Sequence, residues 1–182
     1  MTATNARKLA LPVFLAFLAG PVLALTVSVV PAEGKAFSPP PDGSGSPLAY
    51  LVSGCMDALF DAGYVVTDAD VVREPSAAWG ASDAALGAAL AGAKEGLVDY
   101  VVALYVDWAP SGFLKDTLLP AAVKYRVLRV ADGVEVVGGE LRGSPDSEEA
   151  ARQFAQVASQ AGTRAALPCL KFLKALAMGG ER

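Results

Sequence analysis

Residues 97–108 read LVDYVVALYVDW, and this run limits the fold more than any other part of the chain. It is apolar enough for a membrane span or a buried helix, yet Asp99 and Asp107 sit inside it. Its Val, Tyr and Trp content favours a strand, and it is too short to cross a bilayer as a helix. On a strand at 98–108, Tyr100, Val102, Leu104, Val106 and Trp108 project to one side, and Asp99, Val101, Ala103, Tyr105 and Asp107 to the other. One face is wholly apolar and the other mixed. Such a strand belongs in a sheet with helices over one face and only partial cover on the second.

The rest of the chain supplies that sheet. LTVSVVPA (25–32) is a first strand ended by Pro31, followed by a Pro/Gly/Ser loop at 33–47. Leu48, Leu51, Val52, Cys55 and Leu59 recur at helical spacing over 48–63, with Gly63 as C-cap. YVVT (64–67) is a second strand, and 68–81 is irregular. Ser82 or Asp83 caps a second helix with the stripe Leu86, Leu90, Ala93 and Leu97, whose glycines suit close packing on a sheet. After the strand at 98–108, AAVKYRVLRV (121–130) and VEVVGGELR (134–142) form a hairpin about Asp132-Gly133, the preferred type I′ pair. Ser144 or Ser147 caps a final helical region at 146–178. Asp146, Glu148 and Glu149 lie in its first turn, and its stripe is Phe154, Val157, Ala161, Ala165, Cys169, Phe172 and Leu176, with a kink or restart at Pro168. The expected fold is α/β in the order β-α-β-α-β-β-β-α. It has a mixed five-stranded sheet of three parallel strands plus a C-terminal antiparallel hairpin, with helices mainly on one face.

The first 24 residues read as an export signal. Arg7 and Lys8 precede an apolar LALPVFLAFLA, Gly20-Pro21 breaks the helix, and Val22-Leu23-Ala24 fits a cleavage site before Leu25. The alternative is an uncleaved anchor, since 9–32 carry no charge. Either way the domain at 25–182 lies outside the cytoplasm, expected in the periplasm. A membrane partner enters only through the uncleaved form.

Composition narrows function by exclusion. The chain has no histidine, which removes the commonest general base and metal ligand, and its two cysteines cannot build a structural zinc site. A net charge of −4 with no basic cluster argues against nucleic acid. Asp99 and Asp107 lie about 26 Å apart along one strand, too far for paired acid–base work; pairing with Lys124 or Arg126 is expected instead. The glycines of GAALAG and GVEVVGG lack a phosphate-loop context. No catalytic, cofactor or metal residue is assigned, and the protein is expected not to be an enzyme.

Three segments carry a resemblance: MDALFDAGYVVTDADVV, GAKEGLVDYVVALYVDW and VKYRVLRVADGVEVVGGELRG. They resemble a group of periplasmic domains. The group includes the N-terminal domain of the Tol–Pal system's periplasmic protein, the curli-export lipoprotein and the outer-membrane lipoprotein that activates penicillin-binding proteins. The resemblance spans about residues 25–142 at the level of fold. This chain lacks the lipidation cysteine after its signal and has no room for a propeller. The resemblance implies an envelope-located, non-enzymatic interaction or assembly module with protein partners. Two alternatives stand beside it: a structural subunit of an envelope complex that oligomerises through the mixed sheet face, and an enzyme with an unrecognised acidic site, which would need a cleft of clustered Asp or Glu where the sequence offers only scattered ones.

The segments leaving the carboxyl ends of the parallel strands, 33–47, 68–81 and 109–120, are expected to gather at one sheet edge, where open α/β sheets bind ligands. Trp79, Phe113, Leu114 and Leu118 lie on them and are the candidate partner anchors. The Asp132-Gly133 turn falls at the silent end. Cys55 and Cys169 both sit on apolar helix stripes, so both are expected to be buried, either as thiols or, in an exported chain, as a disulfide.

Overall fold

The structure is a computed structural model in which residues 25–33, 47–68, 83–143 and 145–179 are described. The elements are β1 (Thr26–Glu33), α1 (Pro47–Asp61), β2 (Val65–Asp68), α2 (Asp83–Glu95), β3 (Tyr100–Pro110), β4 (Leu118–Arg129), β5 (Glu135–Arg142), α3 (Glu148–Arg152) and α4 (Phe154–Gly179). The five strands form one mixed sheet in the order β2-β1-β3-β4-β5. β1 runs parallel to β2 and β3, and β4 and β5 follow antiparallel.

That order fixes where the helices lie. The chain steps outward from β1 to β2, then back across β1 to β3. Two right-handed crossovers in opposite directions put their helices on opposite faces. α1, joined by α4, covers the face carrying Val27, Val29, Val102, Leu104, Val106, Trp108, Val123 and Val127. Among the described elements α2 covers part of the other face, where Leu86 and Ala93 meet Val30, Val101, Ala103, Leu128 and Val130. The two faces read from residues 98–108 are the observed ones.

The main core depends on a close helix crossing. A Cβ on Gly54 would lie 2.0 Å from the Ser159 carbonyl oxygen, and one on Gly162 would lie 1.8 Å from that of Leu51. The backbones of α1 and α4 therefore touch, and glycine is the only residue that fits. Thr163 Oγ1 bridges the pair, donating to Gly54 O at 3.1 Å and lying 3.2 Å from Ser159 O. The glycines expected to allow close packing, Gly87 and Gly92 of α2, have nothing among the described residues within 4 Å of an added Cβ. The close approach belongs to the other helices.

Several local expectations are corrected. β1 continues through Pro31 to Glu33. The β2 pairing stops at Val29, so beyond it β1 has only β3 as a neighbour, and the missing proline N–H breaks no described ladder bond. α1 ends at Gly63 as expected, with φ +90°. α2 ends in the same motif, but Leu97 rather than Gly96 takes the left-handed position at φ +56°, with Val98 N donating to Ala93 O at 2.9 Å. Val98 packs against the second core, and Leu97 is 85% exposed rather than part of the stripe. In the β4–β5 turn, Gly133 N donates to Arg129 O across a four-residue loop, and only Gly133 has positive φ, +71°. A type I′ turn needs positive φ at both central residues, so it is absent here. The helical region breaks at Gln153 and runs unbroken through Pro168. Its N-cap is Ser147, whose Oγ accepts from Ala150 N at 3.0 Å. Leu176 is 40% exposed.

Candidate interaction site

β3 and β4 outrun their neighbours. Among the described residues β1 pairs with β3 as far as Val106, and β5 pairs with β4 from Ala122. Beyond those points Trp108↔Pro120, Ala109↔Leu119 and Pro110↔Leu118 pair with each other, which makes an arm at the carboxyl end of β3. A bulge between Asp107 and Trp108 accommodates Pro120, which has no N–H for the ladder. The base of the arm is packed, with Trp108 and Leu119 buried.

The tip, residues 111–117, is held from outside. Ser111 Oγ donates to Asp146 Oδ1 and Gly112 N donates to Asp146 Oδ2, each at 2.8 Å. Ser111 Oγ also accepts from Phe113 N at 3.1 Å, and Ser111 N closes the loop on Thr117 O at 2.8 Å. A side chain at residue 112 would begin 3.2 Å from Asp146 Oδ2, so glycine suits the latch. The carboxylate expected to serve the helix dipole thus fixes the hairpin instead. Glu148 and Glu149 occupy the first turn of α3.

On this latched tip Phe113 is 57% exposed and Leu114 is half-buried. Leu118 is corrected: it begins β4 and packs against the main core, so it supports the arm rather than presenting a surface. Trp79 and the segments 34–46 and 69–82 lie outside the described residues. The full expected gathering of three loops is therefore represented here by the 111–117 tip.

Beside α2 the second sheet face turns polar. Lys124 Nζ lies 3.8 Å from Asp107 Oδ2 and 5.5 Å from the Tyr105 ring centroid. Arg126 Nε pairs with Glu135 Oε2 at 2.6 Å. Burial, followed by the nearby Asp107 carboxylate, raises the Tyr105 phenol above its ordinary value. The expected Lys124 pairing therefore falls to Asp107, while Asp99 accepts from Thr26 N at 2.7 Å. At the amino end of β3 an open cleft of about 460 Å³ is lined by Leu25, Lys94, Leu97, Val98, Asp99, Tyr100, Arg129, Val130 and Ala131. Arg129 there pairs with Asp132 at 3.4 Å.

Cys55 and Cys169 are both buried in the main core and are free thiols in the structure. Burial, with a smaller contribution from Cys169, raises the Cys55 thiol far out of its usual range, and burial alone pushes Cys169 up to about 12. Neither is a nucleophile near neutral pH. Among the described residues no group of His, Cys, Asp and Glu could hold a metal, and no helix is long and apolar enough to cross a membrane.

Reading the sequence did not find the Asp146 latch. It joins residues 34 and 35 positions apart, and no local pattern marks it. The α1–α4 crossing did leave a trace, with Ala158, Gly162 and Ala166 at four-residue spacing.

No family model matches the chain, and no curated protein matches it. Solved structures do. The PelC dodecamer of Paraburkholderia phytofirmans is 20% identical over 83% of this chain and 91% of that one, with a TM-score of 0.50. Lipoprotein GNA1162 of Neisseria meningitidis is 20% identical over 75% and 96%, with a TM-score of 0.42. TolB of Acinetobacter baumannii is 15% identical over 78% of this chain and 29% of its own, with a TM-score of 0.36. At these identities the likeness is one of fold.

Proposed function

We propose that this chain is an exported, non-enzymatic module of the cell envelope that docks a protein partner through the tip of the β3–β4 hairpin. The observation that carries this reading is the exposed Phe113 on a backbone pinned by Asp146. A large apolar side chain held in place loses little entropy on binding, so it contributes more of its burial to affinity than a mobile one. Its position past the carboxyl end of β3 is where open α/β sheets place their ligands. The signal-like residues 1–24 support the compartment, and the absence of histidine from the whole chain supports the lack of catalysis.

Self-assembly is the second reading. It is favoured by the PelC dodecamer, which shares the fold. Chemical crosslinking in an envelope fraction, followed by capture of wild-type and Phe113→Ala protein, tests both. Docking predicts that a heterologous adduct is lost in the variant while the melting temperature holds. Adducts made only of this chain favour self-assembly.

A further inference from the structure

The expected processing point and the sheet meet at one place. Leu25 opens the sheet, its carbonyl accepting from Val65 N at 3.1 Å. The next residue, Thr26, donates its N–H to Asp99 Oδ2 at 2.7 Å, and Asp99 N donates to Thr26 O at 3.0 Å. Leu25 and Asp99 both line the open cleft at the amino end of β3, so this corner of the sheet is reached by solvent.

We infer that Asp99 is the receptor for the amino terminus created when residues 1–24 are removed. Hydrolysis breaks the peptide bond before Leu25. Water supplies the new carboxylate on the departing segment, and the Leu25 nitrogen takes up protons to become an ammonium. That charge appears on the residue that precedes Thr26, whose N–H the Asp99 carboxylate already holds. An uncleaved chain has an amide there and cannot make the ion pair. The assignment rests on the export reading and gives the mature form a contact that its precursor lacks.

Among the described residues the other charged and titratable groups lining the cleft are Lys94 from α2, Tyr100 from β3 and Arg129 from β4. Arg129 is occupied by Asp132, and burial raises the Tyr100 phenol above its ordinary value. Lys94 and Arg129 oppose a second cation, while Asp99 is in contact with the adjoining residue. A carboxylate at this range raises an ordinary α-amino pKa by roughly one unit, from about 7.7–8.0. Because the folded value is raised, the added stability is complete below the ordinary α-amino value and is lost as pH rises through the folded one.

The test expresses the full chain in a secreting host and recovers the exported form. Mass spectrometry gives its first residue. Reductive ¹³C-methylation then reports the α-amino titration by NMR, in wild type and in Asp99→Asn, whose amide oxygen still accepts from Thr26 N. The expected result is a start at Leu25 and a wild-type titration about one pH unit above the variant. A start at any other residue overturns the assignment together with the processing site it rests on. A start at Leu25 with wild type titrating at the ordinary α-amino value, or with both proteins titrating alike, overturns the role of Asp99 and leaves export standing.

Discussion

The α1–α4 crossing makes a sharp prediction: one substitution, Gly→Ala, should have opposite effects in two helices. At Gly162 the new Cβ would stand 1.8 Å from Leu51 O and 2.8 Å from its carbonyl carbon. A carbon–oxygen contact needs about 3.3 Å, so the backbones must part by roughly 1.5 Å. Both colliding groups are main chain, and no rotamer change relieves them. Separation loosens Leu51, Cys55, Ala158 and Ala165, all buried along the seam. Overpacking of this kind costs about 1–3 kcal/mol and sometimes more, against a helix-propensity gain of about 1 kcal/mol for alanine. With the seam opened as well, Gly162→Ala should destabilise by about 2 kcal/mol. At Gly87 and Gly92 a Cβ meets nothing within 4 Å among the described residues, so only the propensity gain remains. Gly87→Ala should stabilise by about 0.5–1 kcal/mol. Urea unfolding with a shared slope measures both. If Gly162→Ala proves neutral or stabilising, the close crossing is wrong.

Leu97→Gly should stabilise by about 0.5–1 kcal/mol, because Leu97 carries φ +56° with its side chain 85% exposed; a lower melting temperature would show that this leucine has a packing role. Cys55 and Cys169 should resist alkylation at pH 8 in the native protein and both react after unfolding without reductant, whereas no reaction after unfolding would reveal a disulfide. Since burial raises both thiols, unfolding releases protons at high pH. Their contribution is complete below the ordinary thiol value and is lost as pH climbs towards about 12, where Cys169 titrates in the folded chain, so stability should fall across that alkaline window. Asp146→Ala removes both hydrogen bonds to the tip and should speed amide exchange at Gly112 at least tenfold, a loss of about 1.4 kcal/mol of protection; unchanged exchange would mean the latch does not hold the tip.

The sheet was legible because its signal is periodic. The alternation over 98–108 assigned both faces of β3, and the two apolar runs flanking Asp132-Gly133 located β4 and β5. What was lost depended on distant partners. Leu97 has the spacing of a core residue, but the helix end is set by Val98 packing into the second core, which turns Leu97 outward. Pro168 looks like a break, yet the contacts of Ala165, Ala166, Cys169 and Leu170 on either side carry the helix through it. At the candidate site, Phe113 stood out as an apolar residue between two strands. Leu118 looked the same, and only the extension of β4 to that residue separates a strand side chain from a tip side chain. The latch could not be read, because a carboxylate before a helix has an equally good local use at the helix terminus.

Site-specific photocrosslinking in intact cells tests the docking claim most directly. A benzophenone amino acid replaces Phe113 at the hairpin tip, and in a second strain it replaces Lys94 in the cleft at the opposite end of β3. Phe113 is 57% exposed on the latched tip, so docking through it should give a discrete higher-mass adduct with a different protein from that position and none from Lys94. No adduct from Phe113, or adducts of equal yield from both positions, would contradict docking through the tip.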